Sequence, residues 1–234
     1  MQNSIKDKIY NAVWESILNF EYEPNQIINE KALTERYECS KAPVREALIS
    51  LCNNGILRNV PRCGYEIIRI TQEDVSNMLQ FRYLLEGGML ACFIQNISEL
   101  QIQKLELLDQ PCYEASDNVW EHFDANINFH LQLIRCSGNM YAYTQLQKTL
   151  DKLKMAYAQF YWGRWENMAP LPVTKYHPFI LEGLRTHDLH AARENLRFDL
   201  QHFGPLQYQI PEFFIEYAGG DKFLPQSGEV VSSW

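Results

Sequence analysis

The sequence has no apolar run long enough to cross a bilayer, and its opening, MQNSIKDKIYNAVW, mixes acids into an amphipathic pattern. A spanning helix is thereby excluded, and this opening reads as neither a secretory signal nor a transit peptide. The six cysteines include no CxxC pair. That absence argues against a zinc knuckle or a disulfide frame and points to reduced thiols in a cytoplasmic protein. Neither HExxH nor a nucleophile elbow occurs, so two familiar hydrolase signatures are missing. Internal repeats and low-complexity segments are lacking as well.

What is present is 234 residues, 46% hydrophobic and 21% charged. That suffices for one large domain or two modest ones, each with a core, and gives no compositional case for disorder. The charge is unevenly placed. The first 70 residues hold nine Lys and Arg and nine Asp and Glu, which leaves the net charge of -8 entirely to the remainder. Such asymmetry suggests two jobs in one chain.

Apolar residues at Ile5, Ile9, Val13, Ile17 and Leu18 mark a first helix, which ends before Pro24. Asn29 can cap a short helix, EKALTERY, and Ser40 can cap a third, with Val44, Ala47, Leu48 and Leu51 as its buried stripe. NNG stops that helix, and two β-rich runs flank Pro61-Arg62-Cys63-Gly64, a hairpin signature. Three helices and a hairpin make the layout of a winged helix-turn-helix. From Thr71 onward the pattern is helical: about 25 residues, then 98–110, 117–136, 139–162, 174–186 and 188–203. The fold class expected is mainly α, a winged helix-turn-helix at 1–71 followed by an all-helical antiparallel bundle at 72–207. A tail at 208–234, rich in Pro, Gly and aromatics, matches no helix.

The segment CSKAPVREAL places Lys41 and Arg45 four residues apart, opposite Val44, Ala47 and Leu48. In a helix-turn-helix the first turns of the second helix enter the major groove while the other face packs on the domain. Arg45 can grip the O6 and N7 of a guanine with two parallel hydrogen bonds. Arg62, beside Gly64 at the hairpin tip, can reach a minor groove or a phosphate. A surface helix with merely solvated cations is the plainer alternative.

EKALTERYECSKAPVREAL, followed by NNGIL and PRCGYEI, resembles the GntR family of bacterial transcription regulators. The length and helix count beyond it are similar to the FadR-type branch, whose C-terminal half is the FCD effector domain. The resemblance implies that the helix starting at Ser40 is the recognition helix, with Arg36, Lys41, Arg45 and the wing tip Arg62–Gly64 as DNA contacts. It also implies a homodimer on a pseudo-palindromic operator in double-stranded DNA. Pro24-Asn25 stands where the family usually has Pro-Gly, and Lys41 replaces the usual arginine after the capping serine.

Three later helices carry a polar residue where periodicity predicts burial. His130 lies on the stripe Trp120, Phe123, Ile127 and Ile134, with Asn126 one turn earlier. His177 leads Ile180, Leu181 and Leu184, and Asp199 falls among Ala192, Leu196 and Phe203. Two imidazoles, a carboxylate and an amide oxygen can hold a borderline divalent metal such as zinc, nickel or manganese. Hydrogen-bonded core histidines, with Asp199 simply paired to one of them, are the competing explanation.

The family resemblance implies a metal set of Asn126, His130 and His177, with Asp199 where a third histidine is usual and His202 one turn on as a substitute. It further implies that Arg82, paired with Glu86 in FRYLLEGGM, meets a small organic-acid effector. A surface Arg82–Glu86 bridge is the plainer alternative, worth about 0.3–0.5 kcal/mol. The expected function is a transcription regulator, not an enzyme, with no membrane partner. A metal-dependent hydrolase, or a metal-only sensor whose tail plugs the cavity, are the rivals.

Overall fold

The computed structural model describes residues 4–112, 119–161, 175–203 and 206–211. The expected roles of the tail fall almost wholly outside these residues, as does most of the loop expected at 168–176.

The N-terminal half opens with α1 (Ile5–Leu18), whose first turn is closed by a capping box between Ser4 and Asp7. β1 (Ile27–Ile28) leads into α2 (Glu30–Arg36), where the Asn29 side chain accepts from the Lys31 amide at 2.8 Å. α3 (Lys41–Asn53), β2 (Leu57–Val60) and β3 (Gly64–Ile67) complete this half. Ser40 occupies the N-cap position of α3, but its side chain makes no capping hydrogen bond, unlike the expectation. Burying Ile9, Val13, Ile17, Leu33, Val44, Ala47, Leu48 and Leu51 to 2% exposure or less joins the three helices. Each large aliphatic among them contributes about 1.5–3 kcal/mol.

The wing is a three-stranded antiparallel sheet in the order β1-β3-β2, with Ile28 opposite Tyr65 and Asn59 opposite Tyr65 from the other side. β1 was not expected, because two residues are too few to show an alternating pattern. Its approach explains Gly64, where φ is 134° and a Cβ would lie 2.5 Å from the Ile28 carbonyl oxygen. No other residue fits there.

The helical half comprises α4 (Gln72–Phe93), α5 (Glu99–Asp109), α6 (Val119–Arg135), α7 (Met140–Tyr161), α8 (His177–Arg185) and α9 (Leu189–Gln201). Thr71 and Asp74 form the capping box that starts α4. Asp188 caps α9 by accepting from the Ala191 amide at 2.9 Å. α9 stops two residues short of its expected end, because β4 (His202–Phe203) turns into a small hairpin with β5 (Leu206–Gln207). α8 and α9 pack so closely that a Cβ on Gly183 would meet the Ala192 nitrogen at 2.8 Å.

The two halves share one continuous hydrophobic core. The connecting strand end is also clamped from α7: the Gln159 side-chain amide donates to the Ile68 carbonyl at 2.8 Å and accepts from the Ile70 N–H at 3.0 Å. α1 packs on α7 beside this clamp. Among the described residues no helix is long and apolar enough to cross a membrane.

Candidate functional site

On the N-terminal half, Arg36, Lys41, Arg45 and Arg62 are all exposed, above a face of α3 in which Val44, Ala47 and Leu48 are fully buried. The split between cationic and apolar sides matches the spacing argument. Arg62 holds a left-handed backbone, φ 65°, at the turn between β2 and β3, next to Gly64. Arg45, however, is not a free cation. Its guanidinium donates to both carboxylate oxygens of Glu30 on α2, at 3.0 and 3.1 Å, and the Tyr65 hydroxyl donates to Glu30 at 3.1 Å. The Arg45 hydrogen bond, more than any other influence, holds the Glu30 carboxyl below its usual pKa. Glu30 thus ties α2, α3 and the wing together, a role that only contact across elements exposes.

In the helical half, five helices bring a polar cluster into the interior. His130 and His177 are both 0% exposed and Asp199 is 9% exposed. His130 shares its Nδ1 with Glu86 at 2.6 Å and turns its Nε2 to Asp199 at 3.2 Å. His177 shares its Nδ1 with Asp109 at 2.5 Å and turns its Nε2 to the other Asp199 oxygen at 3.6 Å. The Asn126 amide meets the same His177 Nε2 at 3.4 Å, and rotating that amide exchanges its nitrogen for its oxygen at this point. The predicted four, Asn126, His130, His177 and Asp199, therefore do converge. His202 does not join them: it is exposed and its Nδ1 bonds the Phe198 carbonyl at 2.7 Å.

The charges of this cluster are strongly coupled. Burial alone would lower the His177 pKa, but the Asp199 charge and the hydrogen bonds to Asp109 and Asp199 raise it well above the usual value. Burial opposes ionisation of Asp199, yet the His177 charge and bonds to both imidazoles hold its carboxyl well below the usual range. Glu86, fully buried, is likewise held low by Arg82 and His130 against its desolvation.

Glu86 and Asp109 were not among the expected site residues. Both were within reach of the periodicity: Glu86 continues the buried stripe Leu79, Tyr83, Leu90 of α4, and Asp109 follows Leu105 by four on α5. His122 was missed too, although it stands one turn before Asn126 on α6; burial lowers its pKa. Arg82 does pair with Glu86, at 2.8 Å, but the pair is buried, with side chains 7% and 0% exposed, so the surface bridge is corrected. The second terminal nitrogen of Arg82 is buried without a hydrogen-bond partner among the described residues.

Comparison with known proteins gives the family of both halves. Residues 5–67 match the family model of bacterial regulatory proteins, gntR family, and residues 77–202 match the FCD domain. The chain belongs to the gntR family of transcription regulators and carries an FCD domain. It is 26% identical over 199 residues to the uncharacterized HTH-type transcriptional regulator YdhC of Bacillus subtilis strain 168, covering 84% of this chain and 86% of that protein. It is 24% identical over 209 residues to the HTH-type transcriptional repressor RspR of Escherichia coli strain K12, covering 88% and 90%. Its fold is similar to the solved structure of Escherichia coli McbR/YncC, with a TM-score of 0.66 at 19% identity, covering 86% of this chain and 95% of that one.

Proposed function

We propose that this regulator binds its operator as a homodimer and that a divalent metal and a small carboxylate in the helical half set its operator affinity. The observation that carries the metal is the orientation of the two imidazoles. Each gives its Nδ1 to a buried carboxylate, Glu86 or Asp109, and each presents its Nε2 to Asp199. Metal-bound histidines are held in this way, by an outer carboxylate that fixes the tautomer and raises the basicity of the ligating nitrogen. The Asp199 oxygens stand 3.2 Å from the His130 Nε2 and 3.6 Å from the His177 Nε2, close to the spacing of neighbouring ligands on one ion with bonds of about 2.1 Å. His130, His177 and Asp199 would hold the ion, with Asn126 beside them. Two nitrogens and a carboxylate suit zinc, nickel or manganese, and the carboxylate in place of a third imidazole leans toward the harder end. A bound ion supplies a Lewis-acidic position that an anionic ligand completes.

Arg82 supports the carboxylate effector. One of its terminal nitrogens is buried and without a partner among the described residues, which is costly unless a ligand fills the need. The DNA-binding set is Arg36, Lys41, Arg45, Arg62 and Gly64, with Arg45 as base reader. To read a base it must leave Glu30 or share it, so Glu30 orients the arginine before DNA arrives. Pairing of two chains is supported by Phe81 and Leu84 of α4, which are 40% and 45% exposed and form one stripe with Gly88. The domain division remains 1–71, 72–207 and 208–234. The route between the halves is short: α4 starts at the connecting segment and carries Arg82 and Glu86, while Gln159 of α7 grips that segment.

Elemental analysis of the purified protein beside a His130→Ala, His177→Ala double variant tests the metal. Near-stoichiometric metal in the wild type and none in the variant is expected. Operator affinity should then change when small organic acids are added to the loaded protein. Metal-free wild-type protein from metal-supplemented cells would sink the metal reading.

A further inference from the structure

Cys112 occupies an unusual setting for a thiol. A buried free cysteine normally packs as a small hydrophobe. This one is 1% exposed and lies beside His177 and Asp109, two polar side chains that are themselves buried. The turn Gln110–Cys112 that follows α5 is a 3-10 turn, a geometry that places residues three apart on the same side. Asp109 and Cys112 are three apart, and His177 reaches them from the start of α8. Their carboxylate oxygen, sulfur and ring nitrogen lie within 4.8 Å of one another, and all three residues are buried.

We propose that Asp109, Cys112 and His177 form a second, softer metal site, which takes a thiophilic divalent ion such as zinc, cobalt or cadmium in preference to manganese. The donor set makes the selection, because thiolate favours soft ions while carboxylate and amide oxygens favour hard ones. On binding, Cys112 gives its thiol proton to solvent and the sulfur forms the metal bond. His177 gives up its Nδ1 proton in the same way.

His177 belongs to both centres, and its chemistry makes them exclusive for a single ion. Its Nδ1 faces Asp109 and its Nε2 faces Asp199. A neutral imidazole can lend one nitrogen to an ion while the other keeps its hydrogen. A soft ion on the Cys112 side therefore turns the ring's remaining N–H toward Asp199, and a harder ion beside His130 leaves it toward Asp109. The ring becomes a selector that reports which class of ion is bound. This inference goes beyond the site proposed above and does not require it, since neither His130 nor Asp199 is part of the softer set.

Cobalt titration of the full chain tests the assignment, in the wild type, in His130→Ala and in Cys112→Ser. Thiolate-to-cobalt charge-transfer absorption in the near ultraviolet is expected in the wild type and in His130→Ala, and its loss in Cys112→Ser. Cobalt binding without that absorption, or absorption that survives in Cys112→Ser, would overturn the proposal. X-ray absorption of the zinc-loaded wild type decides the matter if Cys112→Ser does not fold: a sulfur neighbour is expected, and a shell of nitrogen and oxygen alone is the contrary result. Manganese titration of the same proteins reads the other donor set alone, so failure of that reading leaves this test intact.

Discussion

Two arginine–glutamate pairs of similar length stand in the two halves of this protein. Arg45 meets Glu30 at 3.0 Å with side chains 61% and 21% exposed, and Arg82 meets Glu86 at 2.8 Å with side chains 7% and 0% exposed. The chemistry is the same and the environments are opposite. Water screens the first pair, which contributes about 0–1 kcal/mol and can be exchanged for a base or a phosphate at little cost. The second has no water to fall back on, so each member depends on the other, and Glu86 also on His130.

The sharpest way to break the comparison is Glu86→Ala. It strands Arg82 and removes the carboxylate behind His130, so a loss of about 3–5 kcal/mol in denaturant unfolding is expected. Metal retained by any folded fraction should bind about 10–100-fold more weakly. A loss below about 1 kcal/mol would place Glu86 with Glu30 and erase the distinction.

A second test concerns Asp151 of α7. Burial, with the nearby Asp124 charge adding and Lys154 opposing, pushes its carboxyl up to about 6. Its folded pKa is therefore above the unfolded value near 3.8, and the native state binds the proton more tightly. The contribution of Asp151 to stability is full below about pH 4 and falls as pH rises toward 6, after which the loss from this group is constant. Asp151→Asn is expected to stabilise the protein by about 1–3 kcal/mol at pH 7.5 and to do little at pH 4. Urea midpoints at the two pH values check the sign.

Arg45→Ala should lower operator affinity by about 1–3 kcal/mol at fixed salt and leave unfolding nearly unchanged. Equal effects on folding and on DNA binding would mean that Arg45 belongs with Arg82 after all. The smallest effect is expected from Glu30→Ala, which should cost less than about 1 kcal/mol of stability although it releases both Arg45 and Tyr65. Calorimetry resolves a change of that size.

Much of this architecture was legible along the chain. The helices of both halves followed from three-four spacing and caps, as at Thr71 with Asp74 and at Asn29. His130, His177 and Asp199 stood out because each interrupts an apolar stripe, and all three are in the interior. What escaped notice came from a neighbouring element. Glu86 and Asp109 matter because α4 and α5 bring them to the imidazoles of α6 and α8. β1 became a strand only by pairing with β3. His202 looked like a possible substitute for Asp199 until the chain turned into β4 and left it exposed.

By itself the sequence determined the alternation of faces: which side of each helix is apolar, roughly where along the chain each helix lies, and that cations gather on the opening turns of α3. Those properties depend on residues within a few positions of one another, so they survive without knowledge of the fold. Tertiary structure alone decided which polar atoms share a partner. Whether Arg82–Glu86 lies at the surface or in the core, and which nitrogen of His177 meets which carboxylate, depends on contacts between residues up to about 70 positions apart. Desolvation then amplifies those contacts, because the strength of a charge pair is set by the water that packing removes from it.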